Sequence, residues 1–338
     1  MAVEPTSGPL RRWGRGASVG LVLALWVVVA PAQAAQPQAN ISDFLRQVQA
    51  AARSLDYSGL YIYQQGAAIQ STRLVHVVDG TGERERLEFL DGAPRECLRQ
   101  NDVQRCLQPD RKLVVVQPAR SDHFPGLLLG DGHSLSRYYE WKPSGRSYRV
   151  AGRDCSVSEL LARDHFRFSY RICTDSKTHL LLKSQTLDAK GRLVDQIAFG
   201  SIRMGTDVPA GALDSRWDTR DWRQETDPGT PTDLQARGWR FSPPAGFTPI
   251  VQLSRKIGPH HGVDQLVLSD GLAAISIFIE TFDPKRDQNV KQGGMRQGAL
   301  NIYRLRLASY WLTAVGEVPA QTVRDVAHAV QYVPRSAH

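Results

Sequence analysis

The sequence predicts a mainly β, α+β protein. A large curled antiparallel sheet with a helix plug precedes a small α+β C-terminal domain. Three observations predict this: a single amphipathic helix near the N-terminus, about ten short strands divided by turn dipeptides, and a polar stretch that separates them from a second group of strands ending in a helix.

The 338 residues carry 42 Lys+Arg against 34 Asp+Glu, a formal charge of +8, with 41% hydrophobic residues and 4 Cys. General disorder, a disulfide scaffold and a polytopic membrane protein are all excluded by these values. Arg11, Arg12 and Arg15 precede an apolar stretch from Ala17 to Val29, followed by Pro31 and Ala32-Gln33-Ala34. Residues 1–34 therefore read as a cleaved secretory signal peptide, since the apolar stretch falls short of the roughly 20 residues a spanning helix needs. Its removal takes away three Arg and Glu4 and leaves +6. Residues 35–234 are nearly balanced, with 27 basic and 26 acidic residues, whereas 235–338 hold 12 against 7. The excess on the C-terminal part points to a docking surface for an acidic partner or for lipid phosphates.

In chain order, Ile41, Phe44, Leu45, Val48, Ala52 and Leu55 recur at helical spacing, with Asn40 or Ser42 placed to cap. Strands are expected at 60–64, 69–77, 86–90, 95–99, 112–117, 147–150, 155–161, 166–173, 180–186 and 193–203. Turns marked by Asp79-Gly80, Asp91-Gly92, Ser144-Gly145, Arg163-Asp164 and Lys190-Gly191 make consecutive strands antiparallel neighbours. In the strand 166–173, Phe166, Phe168, Tyr170 and Ile172 alternate with polar residues and form one apolar face. The run Glu83-Arg84-Glu85-Arg86-Leu87-Glu88 reads as the wet face of an edge strand. So many strands cannot stay flat, so the sheet curls, the helix plugs its concave side, and a cavity remains. Residues 121–141, rich in Leu and aromatics but broken by Pro125, Gly126, Gly130 and Gly132, either cover the cavity mouth or form an ordinary crossover. These elements make up a domain at 40–206, and residues 207–234 form a linker. A small domain at 235–335 follows, with strands at 250–255, 265–269, 273–282 and 303–315 and a closing helix from Pro319.

Hairpins about Asn101-Asp102 and Arg163-Asp164-His165 put Cys97 opposite Cys106 and Cys155 opposite Cys173, at Cα separations of roughly 4.5–5.5 Å that suit disulfides. Two local bridges are favoured over the other pairings and over free thiols. The cysteine gaps do not resemble paired zinc ligands, and the nine His are scattered. The one nucleophile-elbow pattern, Gly16-Ala17-Ser18-Val19-Gly20, lies inside the signal peptide. No catalytic, metal or cofactor site emerges, nothing selects a pair of carboxylates for glycosidase chemistry, and the aromatic-basic run at 166–171 reads as a half-buried strand rather than a nucleic-acid platform.

Several short motifs carry a resemblance. Tyr57-Ser58-Gly59, Tyr63, Arg73, His76, Glu85-Arg86, Leu90-Asp91-Gly92, Arg95-Glu96 and Cys106 stand in the first part. Pro244-Ala245-Gly246-Phe247, Ser269-Asp270-Gly271-Leu272, and Val315-Gly316-Glu317-Val318-Pro319 with Thr322-Val323 stand in the second. Together they resemble the RseB/MucB family of periplasmic regulators of envelope stress, over nearly the whole mature chain and in the expected order. The second cysteine of the 155–173 pair is not part of that family's pattern and the 97–106 pair matches it only in part, so both bridges rest on hairpin geometry alone.

The resemblance implies a first domain like LolA and LolB, a half-open β-barrel with an apolar cavity, and a smaller C-terminal domain. It also implies a non-enzymatic function: binding the periplasmic part of a membrane-anchored anti-sigma factor (RseA/MucA-like), protecting it from proteolysis, and releasing it when lipopolysaccharide or mislocalised lipoprotein binds. The alternative is a periplasmic lipid or lipoprotein carrier without a signalling role, for which the second domain has no use. On this reading Tyr61, Tyr63, Phe89, Leu127, Leu128, Tyr138, Tyr139 and Trp141 contact acyl chains, and Arg255, Lys256, Arg304 and Arg306 contact the partner. Oligomerisation is left open.

Overall fold

The computed structural model describes residues 40–119, 124–129, 134–205, 208–226, 229–256, 262–297 and 300–334; the expected signal peptide lies outside them. Helix α1 (Ile41–Ser54) begins at Asn40, whose side chain accepts the Asp43 N–H and so satisfies one orphan donor of the first turn. Ser42, the other capping option, is buried within the helix beside Ile41, Leu45, Val48, Ala51 and Ala52.

The first sheet has twelve strands. Its first half contains β1 (Tyr57–Gln65), β2 (Ala68–Asp79), β3 (Gly82–Phe89), β4 (Arg95–Gln100), β5 (Val103–Gln108) and β6 (Leu113–Pro118). After the short helix α2 (Leu135–Tyr138) come β7 (Tyr139–Val150), β8 (Arg153–Ala162), β9 (Ser169–Asp175), β10 (Leu181–Leu187), β11 (Leu193–Met204) and β12 (Arg223–Thr226). The order is β12-β6-β5-β4-β3-β2-β1-β11-β10-β9-β8-β7, so two antiparallel meanders join where β1 pairs with β11. The edge strands β12 and β7 do not pair, and the sheet stays open while α1 packs inside it against Tyr57, Leu74, Leu87 and Phe199. Strand β12 pairs parallel with β6 and lies within the stretch expected as linker.

Three local expectations are corrected. The 83–88 run is not on an edge: β3 lies between β2 and β4, and Glu85 and Glu88 are buried. Alternating charge pairs across strands here instead of facing water, because both faces of β3 are covered. The strand expected at 166–173 starts at Ser169. Phe166 leaves it to pack on the C-terminal core, and Arg167 is buried. The single strand expected at 303–315 is a hairpin that turns at Ala308 (φ 51°), a residue with no turn signature of its own.

Cys97 sits directly opposite Cys106 and is bonded to it, with Cα atoms 4.0 Å apart. Cys155 is bonded to Cys173 but is not opposite it: Cys155 pairs with Asp175 and Val157 with Cys173, so the bridge is diagonal, at a Cα separation of 5.5 Å. The connection across 163–168 is longer than a tight turn and shifts the register by two residues.

The C-terminal strands are β13 (Thr230–Pro231), β14 (Trp239–Arg240), β15 (Thr248–Lys256), β16 (Gly262–Ser269), β17 (Ala274–Thr281), β18 (Gly293–Gln297), β19 (Leu300–Leu307) and β20 (Tyr310–Gly316). Helix α3 (Ala320–His328) and β21 (Gln331–Tyr332) end the described chain. The second sheet runs β13-β15-β16-β17-β20-β19-β18, and β14 pairs with β21 apart from it. Val323, Val326 and Ala327 of α3 bury one face of this sheet with Leu266, Ile275, Ile277, Leu305 and Leu312.

The two cores meet at Arg167. Its guanidinium, with no solvent exposure, bonds Asp270 at 2.6 Å and Asp164 at 2.9 Å and also donates to the Ala245 carbonyl. The rings of Tyr138, Tyr139 and Phe247 surround it. Burial alone would lower its pKa, but the Asp164 hydrogen bond and the Asp270 charge outweigh it and hold the pKa above the ordinary arginine value. Gly246 (φ +86°) lies so close that a Cβ would meet the Tyr138 ring at 2.5 Å.

Asp270→Asn keeps the side chain's shape but removes half of the charge around a buried arginine, and should cost about 3 kcal/mol in urea unfolding. The paired change Arg167→Met with Asp270→Asn should cost less than Arg167→Met alone, because Asn keeps the Oδ1 acceptor of the turn and leaves no unpaired carboxylate buried. A thiol assay on the denatured, non-reduced protein should find no reactive cysteine; four reactive thiols would remove both bridges.

Candidate functional site

Directly opposed residues of an antiparallel pair share a face, so register decides which side chains meet. Tyr61 and Tyr63 of β1, Phe89 of β3, and Tyr139 and Trp141 of β7 all share the concave face with Leu87, Phe199, Ile197 and Leu160. Five of the eight residues predicted for acyl contact are thus brought together by the sheet, and Leu127, Leu128 and Tyr138 join them from the segment before β7.

The concave side is filled. Trp141 stacks on Phe44 of α1 with ring centroids 4.9 Å apart, and Phe124 lies 5.3 Å from Tyr61 and 5.0 Å from Phe199. The Gln49 side-chain oxygen accepts the backbone N–H groups of Leu127 (3.0 Å) and Leu128 (3.2 Å) and fastens the 124–129 segment to α1. The far end of that segment holds the C-terminal domain: Leu129 N–H donates to the Gly271 carbonyl at 2.9 Å. The Tyr139 hydroxyl donates to Asp270 Oδ2 at 2.9 Å, and burial, with smaller contributions from Tyr170 and Asp270, pushes its pKa well up. Tyr63 meets Asp195 at 3.4 Å. Burial raises the Asp195 pKa, and hydrogen bonds from Thr186 and Tyr63 and the charge of Arg296 on β18 oppose it. Phe89 lies at the rim, under the guanidinium of Arg95 at 3.7 Å.

The predicted basic residues sort by register as well. Arg255, Val263, Glu280, Trp311 and Arg306 form one row across the C-terminal sheet, and Leu253, Gln265, Phe278, Thr313 and Arg304 form the next. These rows lie on the face opposite α3, so Arg255, Arg304 and Arg306 share it although they are far apart in sequence. Nε of Arg255, Nε of Arg304 and Nε1 of Trp311 are buried atoms without a hydrogen-bond partner among the described residues. Arg306 differs: its Nε donates to the Ala308 carbonyl, and its guanidinium lies 3.3 Å from the Phe282 ring centroid. Lys256 pairs with Gly262 through its backbone, and its side chain lies outside the described residues.

Sequence reasoning missed Trp311 and Phe278 on this face, because a strand buried on one side only by a distant helix gives no local signal of which side is free. It also missed the junction residue Arg167. The one available signal was an arginine between two aromatics just after a turn. Among the described residues, no three His, Cys, Asp or Glu side chains gather as metal ligands.

Comparison with known proteins gives the same two-part division. Residues 40–217 match the family model described as MucB/RseB N-terminal domain, and 233–331 the model described as MucB/RseB C-terminal domain. The chain is 29% identical over 325 residues to the sigma factor AlgU regulatory protein MucB of Pseudomonas aeruginosa, covering 94% of this chain and 98% of that protein. It is 23% identical over 283 residues to the sigma-E factor regulatory protein RseB of Haemophilus influenzae, covering 82% and 87%. Among solved structures, MucB in complex with MucA(peri) superposes with a TM-score of 0.66 at 26% identity, over 88% of this chain and 100% of that one. With both models matched in order over most of its length, the chain belongs to the MucB/RseB family.

Proposed function

We propose that this chain is an exported, non-enzymatic regulator that binds the periplasmic part of an anti-sigma factor, shields it from proteolysis and releases it when acyl chains of lipopolysaccharide or mislocalised lipoprotein bind. The observation that carries the reading is the match along both domains to proteins named as sigma factor regulators, one of them solved with MucA(peri).

The geometry supports a mechanism for release. An acyl chain can reach Tyr61, Leu127, Leu128 and Trp141 only by displacing the 124–129 segment or α1, because these already fill the concave side. The same segment and the adjoining Tyr138 and Tyr139 hold Gly246, Asp270 and Gly271 of the C-terminal domain. Filling the concave side therefore loosens the C-terminal domain. If the anti-sigma factor binds better to the docked arrangement, lipid and partner oppose each other, as linkage requires of any switch. The face of the C-terminal sheet opposite α3, with Arg255, Arg304 and Arg306, is the surface for the acidic partner, and Lys256 adjoins it at the end of β15.

Titrating lipopolysaccharide into the preformed complex should weaken anti-sigma affinity by about tenfold or more, a coupling of about 1.4 kcal/mol. Unchanged affinity at saturating lipid would sink the switch. A pull-down from envelope extract should recover a single-pass anti-sigma protein, whereas a simple carrier would bring lipoproteins. Arg304→Gln with Arg306→Gln should slow association several-fold and flatten its salt dependence, measured by stopped flow; if neither changes, the charge serves solubility.

A further inference from the structure

A cavity lies on the convex face of the large sheet, away from α1. Residues 208–226 cross this face as a strap anchored at both ends. At one end, Arg86 donates to the Ala212 carbonyl (3.2 Å), Ser215 to Glu96 (3.2 Å), and Arg216 pairs with Glu88 (2.9 Å). At the other, β12 pairs with β6. Between the anchors the strap stands off the sheet and encloses a cavity of about 620 Å³, within the usual range for a small-ligand site.

The floor is made of Leu98, Val103 and Leu107 with Gln100 beside Val103, and Leu213 and Trp217 roof it. Val103 is 49% exposed despite its place in an interior strand, because it faces this void. Cationic groups stand at the walls. Arg105, opposite Leu98 in the register, is exposed and has no ion-pair or hydrogen-bond partner among the described residues. Arg84 is held by Asp79 through its terminal nitrogen, while its buried Nε has no partner. Of the other charged lining residues, Glu85 and Arg99 are directly opposed and buried on the concave face, and Asp214 is the carboxylate on the roof.

We propose that this cavity binds a single-chain amphiphile with a carboxylate or phosphate head, its tail along Leu98, Val103 and Leu107 beneath Trp217 and its head on Arg105 and Arg84. Two physical points select that class. The strands of the floor pair with neighbours on both sides, so a peptide would find no backbone groups for its own N–H and C=O, whereas an alkyl chain needs none. The guanidinium favours an anionic oxygen over a hydroxyl, through charge-assisted hydrogen bonds. The site is preformed and needs no displacement of α1, so it is independent of the release mechanism proposed above.

The test is calorimetric titration of the protein with decyl phosphate, decanol and inorganic phosphate, each below micelle formation, with Trp emission followed in parallel. Decyl phosphate should bind saturably at one site and shift the emission, and both decanol and inorganic phosphate should bind about tenfold more weakly or worse. Val103→Phe, which fills the floor from an exposed position, should abolish the binding, and Arg105→Gln should weaken decyl phosphate about tenfold while leaving decanol unchanged. Absence of saturable binding, equal affinity for decanol or for inorganic phosphate, or wild-type affinity in both variants would overturn the proposal. Failure here leaves the lipid titration of the anti-sigma complex untouched. If these variants bind no decyl phosphate yet still release the partner with lipopolysaccharide, this cavity is not the release site.

Discussion

The arrangement of the two domains depends on one buried ion pair. Arg167 leaves the connection between β8 and β9 and enters the other domain's turn at Asp270, where both side chains are shut off from solvent and the guanidinium protons need protein partners. Asp270 serves both sides. Its Oδ1 accepts the N–H groups of Leu272 and Ala273 and shapes the turn, while its Oδ2 takes Arg167 and the Tyr139 hydroxyl. A carboxylate used in this way ties the local geometry of the small domain to the docking of the large one. Desolvation offsets much of the pair's attraction, so its contribution lies in position: the buried guanidinium is met by Asp270 and the Ala245 carbonyl only when the two domains are docked.

From that junction the structure runs inward to the concave side. The segment that touches Gly271 at one end is held by Gln49 of α1 at the other, so the plug, the cover and the domain contact form one continuous chain of packed groups. The sheet can remain open because its interior is filled by side chains rather than closed by hydrogen bonds between its edges. A sheet of this kind keeps a site that can be emptied without breaking its ladder.

The outer faces carry the remaining polar chemistry. On the large sheet, Glu88 and Glu96 lie under the strap with Arg86, Arg73 and Arg216, a network that a strand of alternating charges supplies only when something covers it. On the small sheet, α3 takes one face and leaves the other to arginines flanking Trp311 and Phe278. The charge of the first domain is thus paired in a covered network, while three arginines of the more basic C-terminal part share the sheet face opposite α3.

Local signals in the sequence were enough to determine the capped helix α1, most strands, the turn at Asn101-Asp102 with its 97–106 bridge, and the two-part division. These follow from periodicity and turn chemistry, which act over a few residues. The gathering of Tyr61, Tyr63, Phe89, Tyr139 and Trp141 on one face was also legible, because alternation in a strand assigns faces once pairing is known. Tertiary structure alone decided that this side is filled, that 223–226 joins the first sheet instead of forming a free linker, that the second bridge is diagonal, and that Arg167 finds Asp270. The bridge follows from the length of the 163–168 connection; the others depend on which distant segment covers a given face, and that is set by packing and desolvation between parts of the chain far apart in sequence, beyond the reach of any local pattern.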